Sequence, residues 1–451
     1  MASADTNSGG GARSPGMSYQ ELLDTDTRPV PDVLRLEAPL ESPPSFVPRE
    51  QYTSQAFHDL EVEKVWKKAW QMACREEEIP EPGDHQVYEV ASLSILVVRG
   101  DDDEIRAFHN VCLHRSRKLK AHGGRSGMIR CPFHGWTWNL DGSLQEIPCP
   151  WDFPHVSAEN YGLPEVQVGT WGGFVFINPD PDAEPLADYL GELPSHFERW
   201  PLEKRYKAVH VARVLPCNWK VAQEAFMEAY HVLSTHPQLL AGIGDTNSQY
   251  DVWGNISRAI TPNGTPSPHL EWEPSEQDRL DAMTNRYIDE DPAMVLPDAM
   301  TGRELLGQAS RVQLAPLVPG ATELTDSELL DSFYYTVFPN FHPWGAYNKI
   351  TYRFRPHGND PHHCIMEVMY LNPYRGKRPP PCDIHWLAPD EDFTHAPELG
   401  FLSRVFNQDA FNFGAVQAGL RAGVHENLVF ANYQETKLRH WHQMLDAFIG
   451  A

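Results

Sequence analysis

Four residues in two short loops constrain this chain more than any other feature: Cys112 and His114 in CLH, then Cys131 and His134 in CPFH. The first pair is C-x-H, sixteen residues intervene, and the second is C-x2-H. Two thiolates and two neutral imidazoles make a donor set for a metal centre. Structural zinc accepts the same donors, but its signatures usually pair cysteine with cysteine and histidine with histidine. Here each pair mixes the two residue types. That suits a two-iron centre with both cysteines on one iron and both histidines on the other.

This is the ligand set of a Rieske [2Fe–2S] cluster, with a Cys2His2 zinc site as the alternative. Neutral imidazole in place of thiolate makes such a cluster easier to reduce. The flanks agree: CPFHGWTWNLDG reads as a ligand loop, an aromatic strand and a hairpin turn at Asp141-Gly142.

At 451 residues the chain has room for two or three domains. A net charge of −25 argues against nucleic-acid partners, which need clustered lysine and arginine. No run of eighteen apolar residues crosses a membrane, and the polar N-terminus lacks a secretory h-region. Seven scattered cysteines fit a reducing compartment, so a cytoplasmic location is expected.

Residues 1–48 read as a disordered, then extended, tail, and 49–81 as a helical lead-in carrying a helix over 54–74. Residues 82–180 read as a β-rich module around the ligand loops. Residues 181–451 read as an α+β domain, with antiparallel strands at 333–338, 347–355 and 363–371 and closing helices at 408–422 and 433–448.

A second metal centre is suggested by WKVAQEAFMEAYHVLSTHP, read as a helix over 219–234. His231 and His236 are five residues apart, about 140° apart around a regular helix. They share a metal only if the helix unwinds between them. Two histidines and a carboxylate form the facial triad of a non-haem Fe(II) oxygenase. Asp409, at the expected start of an apolar-periodic helix, is the chosen carboxylate, with an N-cap role as its alternative; Asp383 and Asp390 are further candidates.

Taken together, FHNVCLHR, CPFHGWTWNLDG, the Asn218-Trp219 pair, YH-x4-H and QD-x2-N resemble the α subunits of Rieske non-haem iron ring-hydroxylating oxygenases from about residue 50 onward. The resemblance implies a β-sandwich [2Fe–2S] domain inserted in a helix-grip catalytic domain. It also implies one cluster and one Fe(II) per subunit, the latter on His231, His236 and Asp409. It further implies a head-to-tail homotrimer or dimer of trimers, with Glu228 bridging His134 of one chain to His231 of the next. Most relatives have Asp at that position, and many have Asn or Asp where this chain has Ala225. Ser116-Arg117 stands where relatives commonly have glycine.

The implied activity is that of a terminal oxygenase using O2 and NAD(P)H electrons. These would arrive through a separate flavin or iron–sulfur reductase, with or without a ferredoxin. No dinucleotide-binding fingerprint occurs in the chain itself. The expected substrate is aromatic or otherwise apolar, with monooxygenation or demethylation of an alkylated substrate as the alternative. An electron carrier or a zinc-stabilised binding protein is the reading from another class. Val232, Leu239, Leu240, Ile243, Val252, Phe338, Phe341 and Trp344 are the expected pocket walls. The C-terminal HQMLDAFIG resembles members that work without a β subunit.

Overall fold

The computed structural model describes residues 16–43, 46–284, 292 and 294–450. Two sheets organise them. A seven-stranded sheet, in the order 71–75, 174–178, 165–171, 105–109, 93–99, 84–90 and 124–125, stands beside a three-stranded sheet of 129–130, 137–138 and 144–146. The first ligand loop leaves strand Ile105–His109; the second joins Ile129–Arg130 to Thr137–Trp138. The other large sheet has eight strands, in the order 249–253, 256–261, 332–337, 341–343, 350–357, 360–373, 205–215 and 385–386. Helices pack on it, giving the α+β catalytic architecture expected from the sequence.

The long helix Leu402–Ala422 forms because its buried positions Ser403, Phe406, Asp409, Phe413, Gln417 and Leu420 recur every three or four residues. It starts two turns earlier than expected, so Asp409 lies inside the helix and is no N-cap. The expected helix over 54–74 is also corrected. Gln55–Glu61 is α-helical, Val62–Trp66 widens into a π turn, and Gln71–Arg75 is a fully buried strand beside Phe174–Asn178. Its apolar run fits either element, and pairing with a buried neighbour decides for the strand.

Residues 17–48 depart from the extended tail expected of them. Tyr19–Leu23 and Asp32–Arg35 are helical turns, and Phe46–Pro48 pairs with Asn427–Val429. Ser18 and Glu21 close a capping box, and Tyr19, Leu22, Leu23 and Leu34 are buried. A few apolar side chains outweigh the polar composition around them. Residues 1–15 lie outside the described residues.

Three tryptophans join the segments behind the second metal site. Trp219 lies 4.8 Å from Trp66 and 5.3 Å from Trp441, ring centre to ring centre. All three are fully buried. Beside them Lys220 Nζ donates to Glu61 Oε1 at 2.5 Å, both side chains without solvent. Trp219→Ala is expected to lose about 3–5 kcal/mol, measured as a fall in the denaturation midpoint. A change within 1 kcal/mol would mean that this junction contributes little.

Candidate metal centres and active site

The two ligand loops repeat one hydrogen-bond scheme. Cys112 N–H donates to Arg117 O at 2.8 Å and Ser116 N–H to Cys112 O at 3.0 Å. Cys131 N–H donates to Trp136 O at 2.8 Å and Gly135 N–H to Cys131 O at 3.0 Å. Both turns need a left-handed residue, supplied by Ser116 at φ +56° and Gly135 at φ +80°. Serine pays a steric penalty there that glycine avoids.

The cysteines point inward, at 2% and 1% exposure, whereas His134 is exposed and His114 half-buried. The two imidazole centres lie 4.6 Å apart, and His114 stacks on Trp136 with 5° between planes. His114 Nδ1 is buried with no hydrogen-bond partner. An orphaned imidazole nitrogen beside two buried thiols fits a mixed-ligand cluster, which would occupy these four donors.

The second centre depends on a helix that stops. Residues 219–234 are not one helix: Trp219–Glu224 is helical, the chain turns through Ala225–Tyr230, and a short helix resumes at Val232–Thr235. Tyr250 Oη accepts from the Ala229 N–H at 3.2 Å, satisfying a donor that the break releases. His231 and His236 flank the short helix at its two caps. Glu228 is therefore not on a shared helix face with His231. It folds back as a cap, accepting from the His231 backbone N–H at 2.9 Å and from His231 Nδ1 at 2.6 Å.

His231, His236 and Asp409 converge, their candidate ligand atoms all within 4.8 Å of one another. Asp409 Oδ1 lies 3.0 Å from His236 Nε2 and 3.5 Å from His231 Nε2. The outer nitrogens are held from behind: Glu228 takes His231 Nδ1, and Gln408 Oε1 takes His236 Nδ1 at 2.9 Å. Gln238 fixes the Gln408 amide, donating to its Oε1 at 2.8 Å. Each imidazole thus presents Nε2 inward, the orientation that metal sites build with outer hydrogen bonds.

Burial opposes charge on His231, but Glu228 and Asp409 overcome it and hold the imidazole well above its ordinary range. Burial would raise the Asp409 pKa, yet hydrogen bonds from His231 and His236 keep it below the usual carboxylate value. The pocket therefore favours positive charge at its centre, and this donor set fits Fe(II). Asp383 and Asp390 do not join the cluster.

A cavity of about 530 Å³ opens beside the triad. Of the expected walls, Val232, Leu239, Ile243 and Trp344 line it. Leu240 lies behind Val232 and Leu239 in a small buried cluster. Val252 sits on strand Gln249–Trp253 outside the cavity. Phe338 stacks on Phe448, and Phe341 meets Phe174 and Phe176, so both are core. Lining residues not foreseen include Phe226, Tyr334, Lys349, Tyr352, Phe401 and Phe406. Some of the lining carries a signal: Leu402, Val405 and Phe406 stand seven, four and three residues before Asp409, on one helix face.

Behind Glu228 lies a second acidic group. Burial, aided by the nearby charges of Glu228 and Glu224, pushes the Glu435 carboxyl up to about 7. The folded state keeps this proton between pH 4.5 and 7, where the unfolded chain has released it, so stability falls as pH rises through that window. Glu435→Gln is expected to flatten this slope and raise the melting temperature at pH 8 relative to pH 5. Thermal melts of both proteins at the two pH values check it.

The sequence matches the ring-hydroxylating α subunit (catalytic domain) family over residues 195–451 and the Rieske [2Fe–2S] domain over residues 69–157. It is 32% identical over 199 residues to the glycine betaine monooxygenase oxygenase subunit of Pseudomonas aeruginosa, covering 43% of this chain and 45% of that protein. It is 33% identical over 203 residues to the biphenyl 2,3-dioxygenase α subunit of Rhodococcus jostii, covering 43% of this chain and 44% of that protein. These alignments span less than half the length of either relative. Across the whole fold, the chain is similar to a quaternary ammonium Rieske monooxygenase in complex with L-carnitine. There the TM-score is 0.64 at 18% identity, over 90% of this chain and 96% of that one. Naphthalene 1,2-dioxygenase with indole bound gives a TM-score of 0.63 at 18% identity, over 90% and 92% of the two chains.

Proposed function

Because this chain belongs to the family of Rieske-type ring-hydroxylating oxygenase α subunits, we propose that it is a terminal monooxygenase that removes or hydroxylates a methyl group on a cationic, N-methylated substrate. This is the alternative reading of the sequence in a narrower form, preferred over an apolar aromatic ring. The observation that carries it is the aromatic wall beside the triad. Trp344 lies 5.6 Å from Tyr334 and 6.1 Å from Tyr352, and all three rings line the cavity. Aromatic faces attract a methylated ammonium through the ring quadrupole. The glycine betaine and carnitine monooxygenases among the relatives support the same choice.

When bound, the [2Fe–2S] cluster supplies single electrons and Fe(II) supplies open positions for O2. Asp409, His231 and His236 would hold that iron, and Cys112, His114, Cys131 and His134 the cluster. Glu228 and Gln408 keep the imidazoles turned inward, and the aromatic wall sets the methyl group beside the triad. Overall, a C–H bond gains one oxygen atom while the other leaves as water, consuming two electrons and two protons. NAD(P)H would supply the electrons through a separate reductase. Within a head-to-tail trimer, Glu228 would join His231 to His134 of the neighbour, and its hydrogen bond to His231 is the half of that bridge that one chain contains.

The test is product analysis with a surrogate reductase on a panel of N-methylated amines, biphenyl and naphthalene. Formaldehyde and a demethylated amine, formed in step with NADH consumption, are expected. A cis-dihydrodiol from the aromatic compounds with no amine turnover would overturn the proposal in favour of ring dioxygenation. Glu228→Ala is expected to retain cluster and mononuclear iron by metal analysis while single-turnover product formation falls about 100-fold. Wild-type rates at full iron would remove the bridge.

A further inference from the structure

Four side chains with a carboxylate or an ammonium line the cavity among the described residues: Glu228, Lys349, Glu398 and Asp409. Three are already engaged. Glu228 holds His231, Asp409 meets both triad histidines, and Glu398 Oε1 accepts from His385 Nδ1 at 2.6 Å. Lys349 differs. Among the described residues its ammonium has no hydrogen bond or ion pair, and it rests over the face of Tyr370, 4.6 Å from the ring centre. Tyr370 is itself fixed, its Oη donating to Leu399 O at 3.0 Å. The cation is therefore held at the cavity rim by a ring, with no opposing carboxylate among the described residues.

The chain segment matters as much as the charge. The connection between strands Phe341–Pro343 and Ile350–His357 carries Trp344, Tyr347, Asn348 and Lys349 into the cavity wall, and Tyr352 follows two residues after Ile350. One segment thus presents aromatic faces for a methylated ammonium and, farther along, a free cation.

We infer that Lys349 binds the anionic end of the substrate, so that the preferred substrate is a zwitterion with a methylated ammonium at one end and a carboxylate at the other. This rests on the proposed function and narrows it to carboxylated amines. Burial also holds the Lys349 pKa below the ordinary lysine range, a cost that an arriving carboxylate would offset.

The experiment compares the iron-loaded wild type with Lys349→Met and Lys349→Arg, using calorimetric binding and steady-state kinetics. The probes are γ-butyrobetaine, glycine betaine and pentyltrimethylammonium, which has the cation without the carboxylate. Lys349→Met is expected to weaken binding of the better zwitterion and raise its KM about tenfold with kcat held. Pentyltrimethylammonium should be unaffected, and Lys349→Arg should restore most of the loss. Equal effects on charged and uncharged tails, or none on either, overturn the role of Lys349 while leaving demethylation standing. A wild type that neither binds nor oxidises any of the three probes overturns both the role and the proposed function.

Discussion

Two imidazoles five residues apart meet one carboxylate only where the helix carrying them ends. The rest of the catalytic site follows from that break. Once the chain leaves the helix after Glu224, its backbone donors need new partners, and Tyr250 and Glu228 provide them. The same Glu228 carboxylate then sets the ring of His231. On the facing helix, consecutive residues divide the remaining work: Gln408 orients His236 from outside and Asp409 meets it from inside. Two neighbouring positions of a rigid helix thus fix both sides of one ligand. A buried carboxylate at 3% exposure is tolerable only with such partners.

The cluster module solves a different problem with local means. Each of its loops carries both ligands within four residues and closes on itself through backbone bonds. Cysteines inside and histidines outside give the centre a direction: its thiolates face the module's core, and its imidazole edge faces solvent or a neighbour. That polarity leaves the imidazole edge, not the thiolates, open to approach from outside.

These differences explain what could be read from the sequence. The cluster donors are legible because spacing alone brings them together. His231 and His236 are suspicious from spacing, but Asp409 lies 173 residues beyond His236; its place in an apolar-periodic segment favours it over Asp383 and Asp390, and the family resemblance adds to that choice. The cavity wall was half legible. Phe338 and Phe341 are as aromatic as Tyr334 and Tyr352, yet the first two face the core and the second two the cavity. For Phe341 side alternation decides this, because it pairs with Arg353 and so faces away from Tyr352, whereas Phe338 lies just past strand Ser332–Val337 and stacks on Phe448. The helical lead-in failed at Gln71–Arg75 for the same reason: a sheet partner overrode local pattern. The N-terminal segment failed in the opposite sense. One of its acids is tied down: Asp26 accepts from the backbone of Asp326 and Ser327.

The segment after Pro343 has one more consequence. It belongs neither to the ligand loops nor to the elements that carry the triad, yet it supplies Trp344, Tyr347 and Lys349 to the cavity wall. Exchange of residues there leaves every metal donor and its supporting hydrogen bonds in place. A lineage can therefore drift from one substrate to another through a handful of codons, while the oxygen-activating machinery is inherited intact.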